Sequence, residues 1–411
     1  MRQTGMGTIV WMRIAIGSAR TMEAVFTEYS SGPDEHAFAK TMVPVRLAKL
    51  DAADFAAVNP NTGTAPIFRS RRDAEITTRI YRAHPVLVNR SAEFDDPSGP
   101  VRALWPVKYM RMFDMTNDSG LFRTPAWLEE NGGYRVAANR WKCAGEDYVP
   151  LYEGKMVQAY DHRAASVTVN PENLHRPAQP LPATYDQHRD SDWLPDPQFW
   201  VAIRHVQEQV NSDWFLAFKH VSSPTNFRTM ISAICPLAGY GNSLPLLVTD
   251  SVEVAANVQA NLNSLCFDFV ARQKLQGQNL NLFVVEQLPL IDPLRFEERL
   301  GPGTVADLIR REVLHLTYTA HDMAAFARDL GHDGPPFAWD AEDRRHRLAR
   351  LDALFFRLYG LDRDDAGYIL DTFPIVREQD EAAFGRYRTK ELVLAYMNAL
   401  AAGDIDTRVH D

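Results

Sequence analysis

At 411 residues, with 45% hydrophobic and 24% charged residues and neither Gly nor Pro in excess, the chain has the composition of a folded protein of two or three domains, which excludes long disorder and disulfide-stapled miniproteins. The net charge of −9 argues against non-specific coating of nucleic acid, while leaving room for a local basic face. Apolar runs are too interrupted to span a bilayer, Cys143, Cys235 and Cys266 lie far apart with no CxxC pair, and the N-terminus lacks a small-residue cleavage site, so we expect a soluble cytoplasmic protein with no membrane association, signal peptide, disulfide framework or zinc site.

"TIVWMRIAIG" and "EAVFTEYSS" are rich in β-branched and aromatic residues and read as strands, and the segment that follows ends in a turn or short helix led by Asp51. From Asn59 the chain runs Asn-Pro and Thr-Gly turns, a short extended "APIFRS", and then "RRDAEITTRIYRA", where Ile76, Ile80 and Ala83 fall at helical spacing. Residues 105–149 interleave aromatic and basic positions. Residues 170–198 show no periodicity and read as an irregular loop or insertion. "FWVAIRHV", "WFLAFKHV", "RTMISAICP" and "SLPLLVT" suggest one antiparallel sheet. "SVEVAANVQANLNSLCFDFVARQKL" reads as a helix, with Val254, Val258, Leu262, Leu265, Phe269 and Val270 on one face. After Asp292 the pattern turns helical; Leu348, Leu351, Phe355 and Leu358 mark a face that Gly360 ends. The expected class is α+β: a strand-rich junction over 1–58, a mixed or antiparallel sheet domain over 59–292, and a helical C-terminal domain over 293–411.

Most catalytic signatures are missing. There is no Walker loop, GxSxG, HExxH or His/Cys metal arrangement, and the two Gly-x-Gly pieces read as turns. His315 and His321 are six apart and so off one helical face, and Asp362, Asp364 and Asp365 fit a helix N-terminus better than a cation site. We therefore assign neither catalytic nor metal-ligating residues. "YEGKMVQAYDHR" is the densest reactive cluster: Glu153, Lys155, Asp161, His162 and Arg163 offer acid, base and anion-binding groups, or else are the charged ends of a strand. Cations flanking aromatics make phosphate contact more natural there than catalysis. Asn226, Arg228 and Thr229 open an apolar strand, where the planar fork of Arg228 suits a guanine edge or loop carbonyls equally. Arg272, Gln273, Lys274, Gly277, Gln278 and Asn279 leave a helix with groove-contact chemistry, or as caps. Arg69, Arg71 and Arg72 open a basic early region, whereas the stretch after Glu297 is rich in Asp and Glu.

Taken in order, "NPNTGTAPIFRSRRDAEITTRIYRAHPVL", "PLYEGKMVQAYDHR", "TNFRTMISAICP", "LNSLCFDFVARQKLQGQNLNLFVVEQLPL", "LTYTAHDMAAFARDLGHDGPPFAWD" and "YILDTFPIVREQDEAAFGRYRTKELVL" resemble the C-terminal, target-recognition half of single-chain restriction-modification proteins (type IIG-like) and phage-defence adenine DNA methyltransferases. The family's Gly-rich S-adenosylmethionine loop and Asn-Pro-Pro-aromatic motif are absent: Asn59-Pro60 and Asn170-Pro171 are followed by Asn and Glu. The resemblance implies a specificity part that holds duplex DNA while a separate methyltransferase polypeptide supplies catalysis, S-adenosylmethionine and any Mg. It implies no cofactor in this chain. It also implies that the 59–87 stretch is a junction touching DNA backbone, with Arg69, Arg71 and Arg72 as positioning contacts to phosphate, while loops such as 170–197 read bases. Two other readings stay open: an adaptor that docks a methylase, and a metal-dependent nuclease using Glu153, Asp161 and His162.

Overall fold

The computed structural model describes residues 11–16, 21–27, 45–46, 50–62, 68–94, 96, 98–170, 172–173, 175–275 and 277–409, with side chains from residue 54 onward except residue 55. Part of the expected extended piece, residues 65–67, lies outside the described residues.

The strand Trp214–Phe218 is buried along its whole length because its two faces meet different layers. Side chains alternate across a strand. Trp214, Leu216 and Phe218 therefore enter one apolar cluster with Ile234 and Leu247, while Phe215 and Ala217 enter another with Ala233, Cys235 and Leu246. This strand is central in a four-stranded sheet ordered Ser232–Pro236, Trp214–Phe218, Leu246–Val248, Lys108–Met110, all antiparallel. One face of the sheet packs on helices. The other packs on a six-stranded sheet ordered Phe122–Arg123, Trp200–Ala202, Glu146–Tyr152, Arg140–Cys143, Tyr134–Ala137, with Gly239–Tyr240 added parallel to Glu146–Tyr152. A side chain at Gly239 would collide with Val201 and Leu151, so only glycine lets that pairing close. The outer face of this sheet carries a small aromatic cluster of Trp141, Tyr148 and Trp200 around Leu128.

"FWVAIRHV" thus belongs to the second sheet, and the single sheet expected from the sequence is two. The N-terminal strands do form: Trp11–Ile16 pairs antiparallel with Thr21–Thr27 over its full length, and Ala52–Val58 is the short helix after Asp51. The stretch 170–198 is more regular than its sequence suggests. Ala178–Pro182 pairs with Ala165–Val169, and Tyr185–Arg189 is a helical turn whose Thr184 and Gln187 form a capping box.

The longer helices are α1 (Arg71–Ala83), α2 (Val252–Leu262), α3 (Leu265–Lys274), α4 (Val305–Thr317), α5 (Ala341–Leu358), α6 (Arg363–Asp371), α7 (Pro374–Phe384) and α8 (Arg388–Ala401). The run read as one helix is two, α2 and α3. Asn263 leaves the helix so that its side chain donates to the Ser232 carbonyl and accepts from the Ser232 N–H, both at 2.9 Å, and Ser264 caps the new start. Both helices are buried nearly all round rather than along one stripe, as a helix does when covered on every side. Gly360, at φ +68°, ends α5 as its position predicts. Among the described residues no helix is long and apolar enough to cross a membrane.

The boundary expected at residue 292 does not divide the packing. One apolar cluster runs from Val58 through α2 and α3 into α4, α5, α6 and α8. Polar contacts cross it as well: Leu265 N–H donates to Asp352 at 2.7 Å, and Asn261 donates to the Tyr359 hydroxyl at 2.6 Å. Within the helical layer, fully buried Glu312 of α4 accepts from Arg347 and Arg350 of α5 at 2.7 and 2.8 Å. The α+β class therefore holds with the helices as a layer over the central sheet. Ending the chain after Pro293 should strip cover from α2 and α3 and give insoluble protein; a soluble product with a cooperative urea transition would show two separable cores.

Candidate nucleic-acid interface

The sequence places Asp268 and Arg272 one helical turn apart in the buried part of α3. Buried charges must be paired and hydrogen-bonded. Asp268 accepts from the Thr229 and Met230 N–H groups and from Arg272 Nε at 2.9 Å. Arg272 then donates through Nη2 to the carbonyls of Asn226 and Phe227 at 2.7 and 3.0 Å, with its guanidinium 4.1 Å from the ring centre of Phe373. The pair grips the backbone of residues 226–230 at several points. Arg228 faces inward too, donating to the Asn263 carbonyl. Thr229 is fully buried, and its hydroxyl donates to the Ser223 carbonyl at 3.1 Å.

This loop is zipped to a second one. Ser222 N–H donates to the Gln278 carbonyl at 2.9 Å, Leu280 N–H donates to the His220 carbonyl at 2.7 Å, and Val221 bridges Asn279. The paired loops carry exposed Asn226, Gln278 and Asn279 beside Val221, 59% exposed, and Phe227, 41% exposed; Phe283 follows at 58%. Isolated exposed apolar residues are ordinary, but several on one pair of loops beside amide side chains mark a candidate binding surface. Exposed Arg69 lies close enough for its charge to act on Arg272. Arg71 and Arg72, also exposed, start α1, where Arg71 pairs with Glu75 at 2.7 Å and Arg72 with buried Asp365 at 2.6 Å; Arg79 shares the same carboxylate.

The sequence-derived contacts thus separate into three groups. Arg69, Arg71, Arg72, Asn226 and Asn279 are exposed. Arg228, Thr229 and Arg272 stand beneath the loops as supports, and Gln273 and Lys274 are half-buried. Lys274 bonds the Val58 carbonyl and Asn59, lies 5.1 Å from the centre of the Tyr81 ring, and is pulled by burial to a pKa of about 7. Lys155, His162 and Arg163 form a separate interior group. Arg163 is fully buried and donates to the carbonyls of His188, Asp190, Trp193 and Thr319, which removes it from any surface contact in this conformation. His162 is buried against Asp322 at 3.0 Å. Lys155 pairs with Glu153 at 2.9 Å, and Asp161 pairs with His188 at 3.0 Å. Burial works to raise the Asp161 pKa, but the bond and charge of His188 outweigh it and leave the carboxyl below its usual range. The cluster that looked reactive in sequence stitches residues 184–193 and 319–322 to the sheets. Sequence reading missed Asp268 and Phe227; the i, i+4 Asp/Arg pair in "LCFDFVARQK" was the available signal for the first.

No family model, curated protein or solved structure matches the chain.

Two outcomes follow from this geometry. Arg272→Ala should cost roughly 3 kcal/mol in urea unfolding and make residues 222–229 sensitive to protease, as expected for breaking a buried pair; a loss under about 1 kcal/mol would mean that other contacts hold the loop. Asp352, buried beside Arg228, has its pKa raised by burial to about 6, so the folded state keeps a proton that the unfolded chain releases near pH 4. Its stabilising effect is complete below about pH 4 and is lost as pH rises to about 6, roughly 3 kcal/mol in all. Asp352→Asn should remove that slope; an unchanged slope would assign it to other groups.

Proposed function

We propose that this chain is the duplex-DNA recognition part of a restriction-modification or phage-defence adenine DNA methyltransferase system, with catalysis on a separate methyltransferase polypeptide. The carrying observation is the pair of zipped loops held on α3. They present amide and aromatic side chains at fixed positions, with exposed Arg69 near Arg272, on a protein whose overall charge is negative. Base reading needs such rigidly held donors and acceptors, and backbone positioning needs only a few cations. Asn226 and Asn279 are suited to bidentate contact with adenine, and Arg69, Arg71 and Arg72 to phosphates.

The nuclease reading has less support. Glu153, Asp161 and His162 each hold a separate structural partner, and among the described residues no three acidic, His or Cys side chains group as a metal site.

Binding to a random duplex pool at two salt concentrations tests the proposal. With three cations at the face, the log–log salt slope should be about −2 to −3, and Arg69→Ala should reduce it by about 1 without changing the enriched sequence. Asn226→Ala should relax the preference at one position, at a cost of about 1–3 kcal/mol. Absence of duplex binding at low salt would overturn the reading, and stable co-purification with a methylase in that case would favour the adaptor.

A further inference from the structure

Beside the 226–230 loop lies a cavity of about 430 Å³, walled by α5 and α7 and reaching Thr389 of α8. Its volume is in the range of small-molecule sites, roughly 300–1,000 Å³. Two features give it a chemistry. Phe227 and Phe384 line it and remain 41% and 38% exposed, with Leu348 and Ala383 supplying further apolar wall. Buried Arg228 and Asp352 line it as well, their Nη2 and Oδ2 atoms 3.7 Å apart, beyond ordinary hydrogen-bond reach. Arg228 uses Nη1 on the Asn263 carbonyl and Asp352 uses Oδ1 on the Leu265 N–H. A donor and an acceptor with capacity to spare therefore sit side by side.

The charges of the lining nearly cancel. Arg228 is opposed by Asp352, Arg345 lies 3.4 Å from Asp380, and Arg344 donates to the carbonyls of Leu316 and Tyr160. Such a site favours a neutral planar ring over a free phosphate. Every nucleobase presents, on its pairing edge, an acceptor next to a donor, and a base taken out of a stack is held by that edge and by aromatic stacking.

We propose that this cavity binds a single nucleobase, its ring against Phe227 and Phe384 and its pairing edge on Arg228 and Asp352. The ring can belong to an unpaired nucleotide of DNA or to a free nucleoside. The first source rests on the DNA-recognition reading, since Phe227 is common to the loop face and the cavity; the second does not.

The test uses the full chain and 2-aminopurine, whose emission is quenched on stacking. The probes are the free riboside, a duplex carrying 2-aminopurine opposite an abasic site, and the same duplex fully paired. Saturable quenching of the riboside is expected. So is an affinity for the unpaired duplex about tenfold above that for the paired one. Ala383→Trp, at an exposed helix position, should fill the cavity and abolish both effects while leaving paired-duplex binding and its salt slope intact. Asp352→Asn keeps an acceptor for the Leu265 N–H and should weaken the riboside about tenfold. Riboside quenching without a preference for the unpaired duplex supports the cavity and assigns a free nucleoside as its source. Absence of saturable quenching by either probe, or quenching that survives Ala383→Trp, overturns the proposal. Paired-duplex binding in the same titrations reports separately on the recognition reading, which can fail while the riboside still binds.

Discussion

The ion pair of Asp268 and Arg272 sets the geometry of everything the chain displays on its loop face. Placed on a helix with no solvent side, the two charges find their hydrogen-bond partners in each other and in the backbone of residues 226–230. Satisfying them forces that loop into one path, and the loop in turn aligns the second one by backbone bonds. The order of causation runs from a buried charge to a surface shape. Hydrophobic packing alone would hold α3 but would leave the loop's conformation underdetermined.

The central sheet supplies the second constraint. A strand buried on both faces needs a layer on each side, and here one layer comes from the middle of the chain and the other largely from its C-terminal third. The sheet and the helices that follow it are consequently one folding problem, although a reader of the sequence sees a change from strands to helices near residue 292. The change in periodicity marks a change of layer. It does not mark a change of domain.

Strands such as "WFLAFKHV" and "RTMISAICP" were legible because β-branched and aromatic runs bounded by turns have few other solutions. Their sheet membership was not, because strand pairing between distant segments leaves no local trace: "FWVAIRHV" pairs with Glu146–Tyr152 and Phe122–Arg123 in the other sheet. The single helix expected over 252–274 broke at Asn263, whose side chain found a better partner in the Ser232 backbone than in helix continuation. On the loop face, "TNFRT" and "QGQNLN" read as separate segments in sequence, and the fold brings them into contact. The roles within them were not legible. An arginine reads identically in sequence whether it faces solvent or, like Arg163, meets carbonyls that lie as far away as residue 319.

Asp365 has a further bearing on the loop face. It is a buried carboxylate that already serves Arg72 and Arg79, both largely open to solvent. Such a carboxylate works as a built-in counter-ion. A polyanion approaching α1 must exchange for it, and a diffuse or badly placed negative charge gains little from the exchange because an excellent partner is given up. Only a phosphate held at the right position by other contacts makes it favourable. The masking lowers the protein's appetite for anions in general and ties the use of its cations to correct seating, a form of proofreading by charge that needs no moving part.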